Sequence, residues 1–240
     1  MSTHLVSLIS DHLLPNYLFI KEMEGKYDDL LFVTTEKMHL DNIGVRLEKA
    51  LGMEKDSVQR VIVSEENLNE AVGKLNSISF AGDERFIVNL TCGTKIMSIG
   101  VYKFFSRFES SFYYIPIGKD KIENVGTSED IPLNYKVNLQ EYLTLYGLTF
   151  TYDITDKKLP DNIGAEFEVY VYNRLKTELK LRNGFIFRGV KLFREDSDKT
   201  NDNEIDVMWA IDNQIYVGEC KVSLVKPMIT APEYLEQIMY

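Results

Sequence analysis

The sequence predicts an α/β protein with a doubly wound parallel sheet in its first half and a second α/β unit near its end. Three observations carry this. Short apolar runs alternate with amphipathic stretches between residues 5 and 117, the pattern of parallel strands joined by helices. Two β-rich runs flank Asp212-Asn213, as in a hairpin. The chain has 240 residues, room for one to two domains, and its 45% hydrophobic content excludes a disordered or low-complexity chain.

The elements follow in order. Leu5 to Ile9 reads as a strand, Ser10-Asp11-His12 as a loop, and Pro15-Asn16 opens a helix to Glu24. Leu30 to Thr34 is a second strand, and Asp41 opens a helix with Ile43, Leu47 and Leu51 on one face. Arg60 to Val63 is a third strand, followed by a helix start with Ser64 as N-cap and acids behind it. Phe86 to Leu90 is a fourth strand, the helix from Lys95 runs to Phe108, and Phe112 to Ile117 is a fifth strand. Residues 118–134, rich in Gly, Lys, Glu, Ser and Pro, read as a boundary. Residues 135–147 read as a linker helix and 157–164 as a second boundary. A helix spans about 165–181, a strand 185–193, an acidic loop 195–203, and a hairpin 204–221. The expected division is a first domain at 1–134, a linker at 135–160 and a second domain at 161–240. Only the stretch 233–240 hints at a following helix, so that second domain is expected to be shortened.

Charge and cysteines narrow the class. Lys and Arg number 27 against 37 Asp and Glu, a net charge of −10, which argues against a general nucleic-acid coat. A nuclease needs only a local basic path. Between residues 171 and 194, Arg174, Lys176, Lys180, Arg182, Arg188, Lys191 and Arg194 face one acid, Glu178. The two cysteines, Cys92 and Cys220, form no CxxC pair, so a reduced, cytoplasmic protein is expected. No apolar run approaches the roughly 18 residues of a membrane span, and no signal peptide opens the chain.

Two segments carry chemistry. In the hairpin, a two-residue turn at Asp212-Asn213 sets Asp206 opposite Glu219 and Glu204 opposite Lys221. Both faces read as buried, which makes the hairpin central in its sheet. Opposed acids then need a counter-charge. Two readings stand. The charges form a salt-bridge ladder of Glu204 with Lys221, or a hard divalent cation sits between Asp206 and Glu219. In the other segment, Phe86 to Gly100, a strand enters a loop of small residues and then a helix. Thr91, Gly93, Thr94 and Lys95 there bring amides, hydroxyls and a cation to a helix N-terminus, an anion-binding arrangement. It lacks the GxxxxGK[ST] spacing of a Walker A loop. The alternative is a capped helix with a surface lysine. The Ser10-Asp11 loop lies at the same sheet edge.

Asn89-x-Thr91-x-Gly93-Thr94-Lys95 resembles the signature loop of CARF domains, the CRISPR-associated Rossmann-fold sensors, and Ser7 to Asn16 is similar to their first-strand loop. Cys92 stands where that family usually has Gly. Asp206 followed by Glu219-Cys220-Lys221 resembles the PD-(D/E)xK motif of restriction-endonuclease-like nucleases. Gly164-x-x-Phe167-Glu168 resembles that fold's helical acid, with Glu166 the alternative. The resemblance implies a Rossmann-like CARF domain joined to a PD-(D/E)xK nuclease of type III CRISPR systems. It implies a homodimer activated by cyclic oligoadenylate, usually cyclic tetra-adenylate, and acting on DNA or RNA with Mg²⁺ or Mn²⁺. Ser10, Asp11, Asn16, Thr91, Gly93, Thr94 and Lys95 are then the activator-binding residues. Glu168, Asp206 and Glu219 are the metal ligands, and with Lys221 they form the catalytic set. A receptor with an inactive nuclease-like half is the other expectation.

Overall fold

The computed structural model describes residues 2–80, 83–116, 118–153, 163–194 and 204–222. The expected boundary at 157–164 for the most part, the acidic loop at 195–203 and the stretch 233–240 lie outside them. The chain divides into two compact units, residues 1–135 with 144–146, and 136–143 with 147–240.

The first unit runs β1 (Thr3–Leu8), α1 (Leu14–Glu22), β2 (Asp29–Thr34), α2 (Glu36–Leu40), α3 (Ile43–Ala50), β3 (Gln59–Ile62), α4 (Leu68–Asn76), β4 (Arg85–Asn89), α5 (Lys95–Phe105), β5 (Glu109–Tyr114), β6 (Lys121–Asn124) and β7 (Ile131–Pro132). Among the described residues these strands form one sheet in the order β3-β2-β1-β4-β5-β6-β7, parallel from β3 to β5. The central strands are mostly apolar. Leu5, Val6, Leu8, Phe32, Val33 and Val88 are all buried, as a sheet covered on both faces requires. One face packs Val6, Val33, Val88, Met97, Val101 and Phe105 into a core with α4 and α5.

Local chemistry redraws several expected boundaries. The helix expected from Asp41 is α3, and a short additional helix, α2, precedes it. Thr35 caps α2 by accepting from Met38 N, and Asn42 at φ 56° breaks the chain before α3. Asn67, not Ser64, caps α4: its Oδ1 accepts from Glu70 N at 3.1 Å, while Ser64 Oγ accepts from Glu66 N and Asn67 N in the preceding turn. Residues 118–134 supply β6 and β7, which extend the sheet antiparallel beyond β5.

The second unit contains α6 (Leu139–Leu145, its last turn shared with the first unit), β8 (Leu148–Thr151), α7 (Ile163–Glu178), β9 (Ile186–Arg194), β10 (Ile205–Ile211) and β11 (Gln214–Gly218). Residues 135–160, expected as linker, therefore supply a helix and a strand; β8 pairs along β9 from Leu148 with Arg194 to Thr151 with Lys191. The sheet is antiparallel in the order β11-β10-β9-β8. Phe167, Val171 and Tyr172 of α7 pack with Ile186 and Val207 on one face. Leu139 and Leu143 pack with Val190, Met208 and Ala210 on the other.

The hairpin register is the expected one: Val207 faces Gly218 and Ile211 faces Gln214. Asp212 and Asn213 both have positive φ, 49° and 61°, which a two-residue turn of this hand needs. The hairpin is not central, however. Among the described residues β11 is an edge strand, and Tyr216 and Val217 are exposed.

Candidate functional site

The first site forms at the topological switch of the parallel sheet. From β1 the chain winds outward to β2 and β3, then crosses back to β4 beside β1 and continues to β5. The loops leaving the carboxyl ends of β1 and β4 come side by side there, at the position where ligands of open α/β sheets sit. These are the two loops expected to bind activator.

A buried polar chain fixes those loops. Ser7 and Asn89 are paired neighbours on β1 and β4, both fully buried. Asn89 Nδ2 donates to Ser7 Oγ at 3.3 Å, and Asn16 Nδ2 donates to Ser7 Oγ at 2.8 Å and to Leu8 O at 2.7 Å. Asn89 Oδ1 accepts from Thr91 N at 3.0 Å and from the Thr91 hydroxyl, whose oxygen accepts from Ile115 N at 2.9 Å. Polar groups buried like this stay only if bonded, so the chain pins three loops in one geometry. Ser7 and Asn89 were not among the expected site residues, although two polar residues inside apolar strands were the visible signal. Asn16, expected to touch activator, is buried and acts through this network.

The exposed rim carries the rest. Ser10 Oγ accepts from His12 N at 3.3 Å, and Asp11 and His12 are exposed. Cys92 Sγ donates to His12 O at 3.5 Å, joining the two loops. Burial, above all, pushes the Cys92 thiol up to about 11, with Ser10 bonding to it and lowering it and the Asp11 charge raising it. Gly93 turns at φ 80°, where a Cβ would meet Met97 and Leu8 at 3.3–3.4 Å. Thr94 caps α5: its Oγ1 accepts from Met97 N at 3.2 Å and donates to Glu65 O at 3.1 Å. Lys95 follows, exposed, on the first turn. The free amides of that turn, the end of the helix dipole and the Lys95 ammonium suit an anionic ligand.

The second site lies at the open end of β10. Here the two-residue alternation used to sort the hairpin faces is interrupted. Val190 and Ile205, opposite each other, pack on the α6 face, whereas Arg188 and Val207, also opposite each other, lie on the α7 face. Between Arg188 and Val190, Gly189 at φ 58° is the kink. The irregularity brings Asp206 into electrostatic reach of Glu168 on α7. Partial burial, first, and Asp206, second, hold the Glu168 carboxyl above its ordinary value, while Arg188 lowers it. Arg188 Nη1 is 4.0 Å from Glu168 Oε2, and Arg188 Nη2 is 3.2 Å from Asp153 Oδ2.

Asp206 and Glu219 do not face each other as a bare pair. Asp206 Oδ2 accepts a short hydrogen bond from Cys220 N, and Glu219, more than half exposed, pairs with Lys221 at 2.9 Å. Glu204 pairs with Lys191 at 3.5 Å rather than with Lys221. Partial burial, with the charges of Asp206, Glu168 and Glu219 behind it, pushes the Cys220 thiol up to about 12. The charges of all four expected residues thus act on one thiol, with Lys221 lowering it. By chemistry alone three carboxylates are the donors a hard divalent cation takes, and the raised Glu168 carboxyl reflects burial first and the Asp206 charge second. Among the described residues, no group of three or more His, Cys, Asp or Glu side chains is arranged to hold a metal ion. The basic stretch is also dispersed. Arg188 is buried, Arg174 pairs with Glu178, and Lys176 bonds Asn183.

A doubly wound sheet with an amide-rich loop and capped helix at its switch point defines a ligand-binding sensor of the Rossmann type. The chain belongs to the CARF family: residues 4–142 match the Card1 CARF domain. No curated protein matches the sequence significantly. Among solved structures, Can2 from Sulfobacillus thermosulfidooxidans, in complex with cyclic tetra-adenylate, superposes with a TM-score of 0.71 at 17% identity, over 98% of this chain and 84% of that one. VC1899 from Vibrio cholerae gives 0.73 at 12% identity over 92% and 80%. A type III CRISPR defence DNA nuclease activated by cyclic oligoadenylate gives 0.62 at 16% identity; the match covers 90% of this chain and 40% of that nuclease. At such identities the likeness is one of fold. Among the described residues, no helix is long and apolar enough to cross a membrane.

Proposed function

We propose that the protein is a cytoplasmic receptor for cyclic oligoadenylate, most simply cyclic tetra-adenylate, in type III CRISPR antiviral defence, and that the ligand controls a metal-dependent nuclease in the second unit. What supports the reading is the pair of loops after β1 and β4, which bring Ser10, Asp11, Thr91, Gly93, Thr94 and Lys95 to the switch point of the sheet above the buried Asn16. A CARF domain and a fold shared with a protein solved with cyclic tetra-adenylate support it. The receptor is a homodimer, because a ring of repeating units fits a two-fold axis between identical sites. Ligand binding acts by differential affinity for two arrangements of the protein.

In the nuclease half, Asp206, Glu219 and Glu168 would hold Mg²⁺ or Mn²⁺, which when bound supplies water activation and charge neutralisation at phosphorus. Lys221, an ammonium held at Glu219, faces the charge that develops on the phosphate. DNA or RNA is the substrate.

A second reading has one observation in its favour. Glu219 is exposed and turned to Lys221 while Asp206 is engaged by a backbone amide, an arrangement that also suits a receptor with an inactive second unit. One experiment separates the two. Single-stranded DNA, supercoiled DNA and RNA are incubated with the protein and Mn²⁺, with and without cyclic tetra-adenylate, beside Glu219→Ala. Ligand-dependent cleavage lost in Glu219→Ala supports the nuclease. Tight ligand binding without cleavage leaves the receptor alone.

A further inference from the structure

We propose that α1 relays the state of the activator loops to the points where the chain leaves the first unit, and that Glu22 is the positioning residue through which it does so; the inference rests on the receptor reading above and needs neither a bound metal ion nor cleavage. The helix starts at the ligand end. His12 belongs to the loop after β1, and its carbonyl accepts from Cys92 Sγ of the loop after β4 at 3.5 Å. Asn16, in the first turn of α1, is fully buried and donates to Ser7 Oγ at 2.8 Å and to Leu8 O at 2.7 Å. Its Oδ1 is buried as well and has no hydrogen-bond partner among the described residues. A buried acceptor without a donor costs stability, so this junction stands to gain from a second arrangement.

The helix ends at the exit. Its nine residues span about 13 Å. Residues Asn16 to Ile20 are all buried, so α1 moves as one packed rod. Glu22, its last residue, holds the chain just before the second unit begins at Lys136. Glu22 Oε2 accepts from Asn134 N at 3.0 Å and from Tyr135 N at 2.9 Å, and Oε1 accepts from Asn134 Nδ2 at 3.3 Å. Bonds to a carboxylate are roughly twice as strong as neutral ones. The Tyr17 and Tyr135 rings meet edge to face with centres 5.8 Å apart, and Lys21 Nζ lies 5.4 Å from the Tyr135 ring centre. The chain returns to the first unit at 144–146. There Tyr146 OH lies 3.5 Å from His12 Nδ1, before the second unit resumes at Gly147. Both stretches of chain that pass between the units are thus tied, within the first unit, to residues 12–22. Those residues directly follow Ser10 and Asp11, so a shift of the activator loop is delivered to both.

Hydrogen exchange on the full chain, read by mass spectrometry with and without saturating cyclic tetra-adenylate, tests this beside calorimetric titration with the same ligand. In the wild type the ligand is expected to slow exchange at residues 9–13 and 91–95 and also, about fivefold, at 134–147 and in β10 and β11. Glu22→Gln keeps the shape of the side chain and loses its charge. It is expected to bind within about threefold of wild type and to keep the protection at 9–13 and 91–95, while that at 134–147 and in β10 and β11 falls below about twofold. Asn134→Ala, at an exposed residue, removes the side-chain bond to Glu22 and leaves the two backbone ones. It should show an intermediate loss at the same distant residues, and it carries the test if Glu22→Gln fails to fold. A tie that merely steadies the fold would raise exchange equally with and without ligand; an unchanged ligand-induced ratio would therefore overturn the proposal. So would a wild type that binds the ligand with no response beyond the two loops, or a folded Glu22→Gln that no longer binds. A wild type that does not bind cyclic tetra-adenylate would instead overturn the receptor reading itself.

Discussion

Replacing Gly93 by alanine probes the turn that aims the loop after β4. Gly93 sits exposed in that loop at φ 80°. An L-residue in the left-handed region costs about 1–2 kcal/mol. The new Cβ would also meet Met97 Sδ and Cε at 3.3 Å and Leu8 Cβ at 3.4 Å. The Met97 tip is flexible and can yield, so the backbone term dominates. For a unit of this size the melting temperature should fall by roughly 2–8 °C. If the loop relaxes by swinging its amides away, affinity for cyclic tetra-adenylate should also fall about tenfold. Gly73→Ala is the internal control: Gly73 is exposed in the middle of α4 with nothing within 4 Å of its virtual Cβ. That change should stabilise by about 0.5–1 kcal/mol. Thermal unfolding with and without ligand reads both variants. A Gly93→Ala protein as stable as wild type and binding normally, beside a Gly73→Ala that behaves as expected, would refute the claim that this turn needs glycine.

Other changes follow from the same structure. Glu48 is fully buried, accepts from Asp56 N and Val58 N at 2.9 Å each, and forms an ion pair with Arg60 at 2.6 Å. Arg60→Met should destabilise by about 3 kcal/mol, near the low end for a broken buried pair because the two amides remain, and denaturant unfolding checks it. Folding holds the Glu168 carboxyl above its ordinary 4.5, so its contribution to stability is full below that value and is lost as pH rises through the native one. Glu168→Gln should therefore gain on wild type as pH climbs from about 4 to 7; a constant difference in melting temperature would contradict this. Cys92 and Cys220, raised to about 11 and about 12, stay protonated in mildly alkaline buffer and should alkylate far more slowly in the native protein than in urea. Fast native labelling of both would show that the burial is wrong.

Local pattern explains what the sequence made legible. The alternation of apolar runs was enough to predict the parallel sheet, because its central strands β1, β2 and β4 are buried on both faces and mostly apolar. The hairpin register was readable because Asp212-Asn213 tolerates two positive φ values and thereby fixes every pair behind it. The exposure of β11 was not readable, because Tyr216 and Val217 look the same in an edge strand as in a central one. Nor was the Gly189 kink. A glycine within an apolar strand signals some irregularity, but which side chains it redirects depends on Asp153, distant in sequence. The expected face of acids therefore becomes Asp206 bonded to Cys220 N, Glu219 turned to Lys221, and Glu168 shared with Arg188. Asn16 similarly could be placed beside the first loop from sequence, but its burial depends on Ser7, reached only through the fold.

The central claim is that the loops after β1 and β4 receive a cyclic oligoadenylate. Calorimetric titration of the full chain with cyclic tetra-adenylate, beside Lys95→Ala, measures it directly. The account predicts saturable binding with one ring for every two chains, weakened by about tenfold or more in Lys95→Ala. Absence of binding, or binding of equal strength in both proteins, would contradict it.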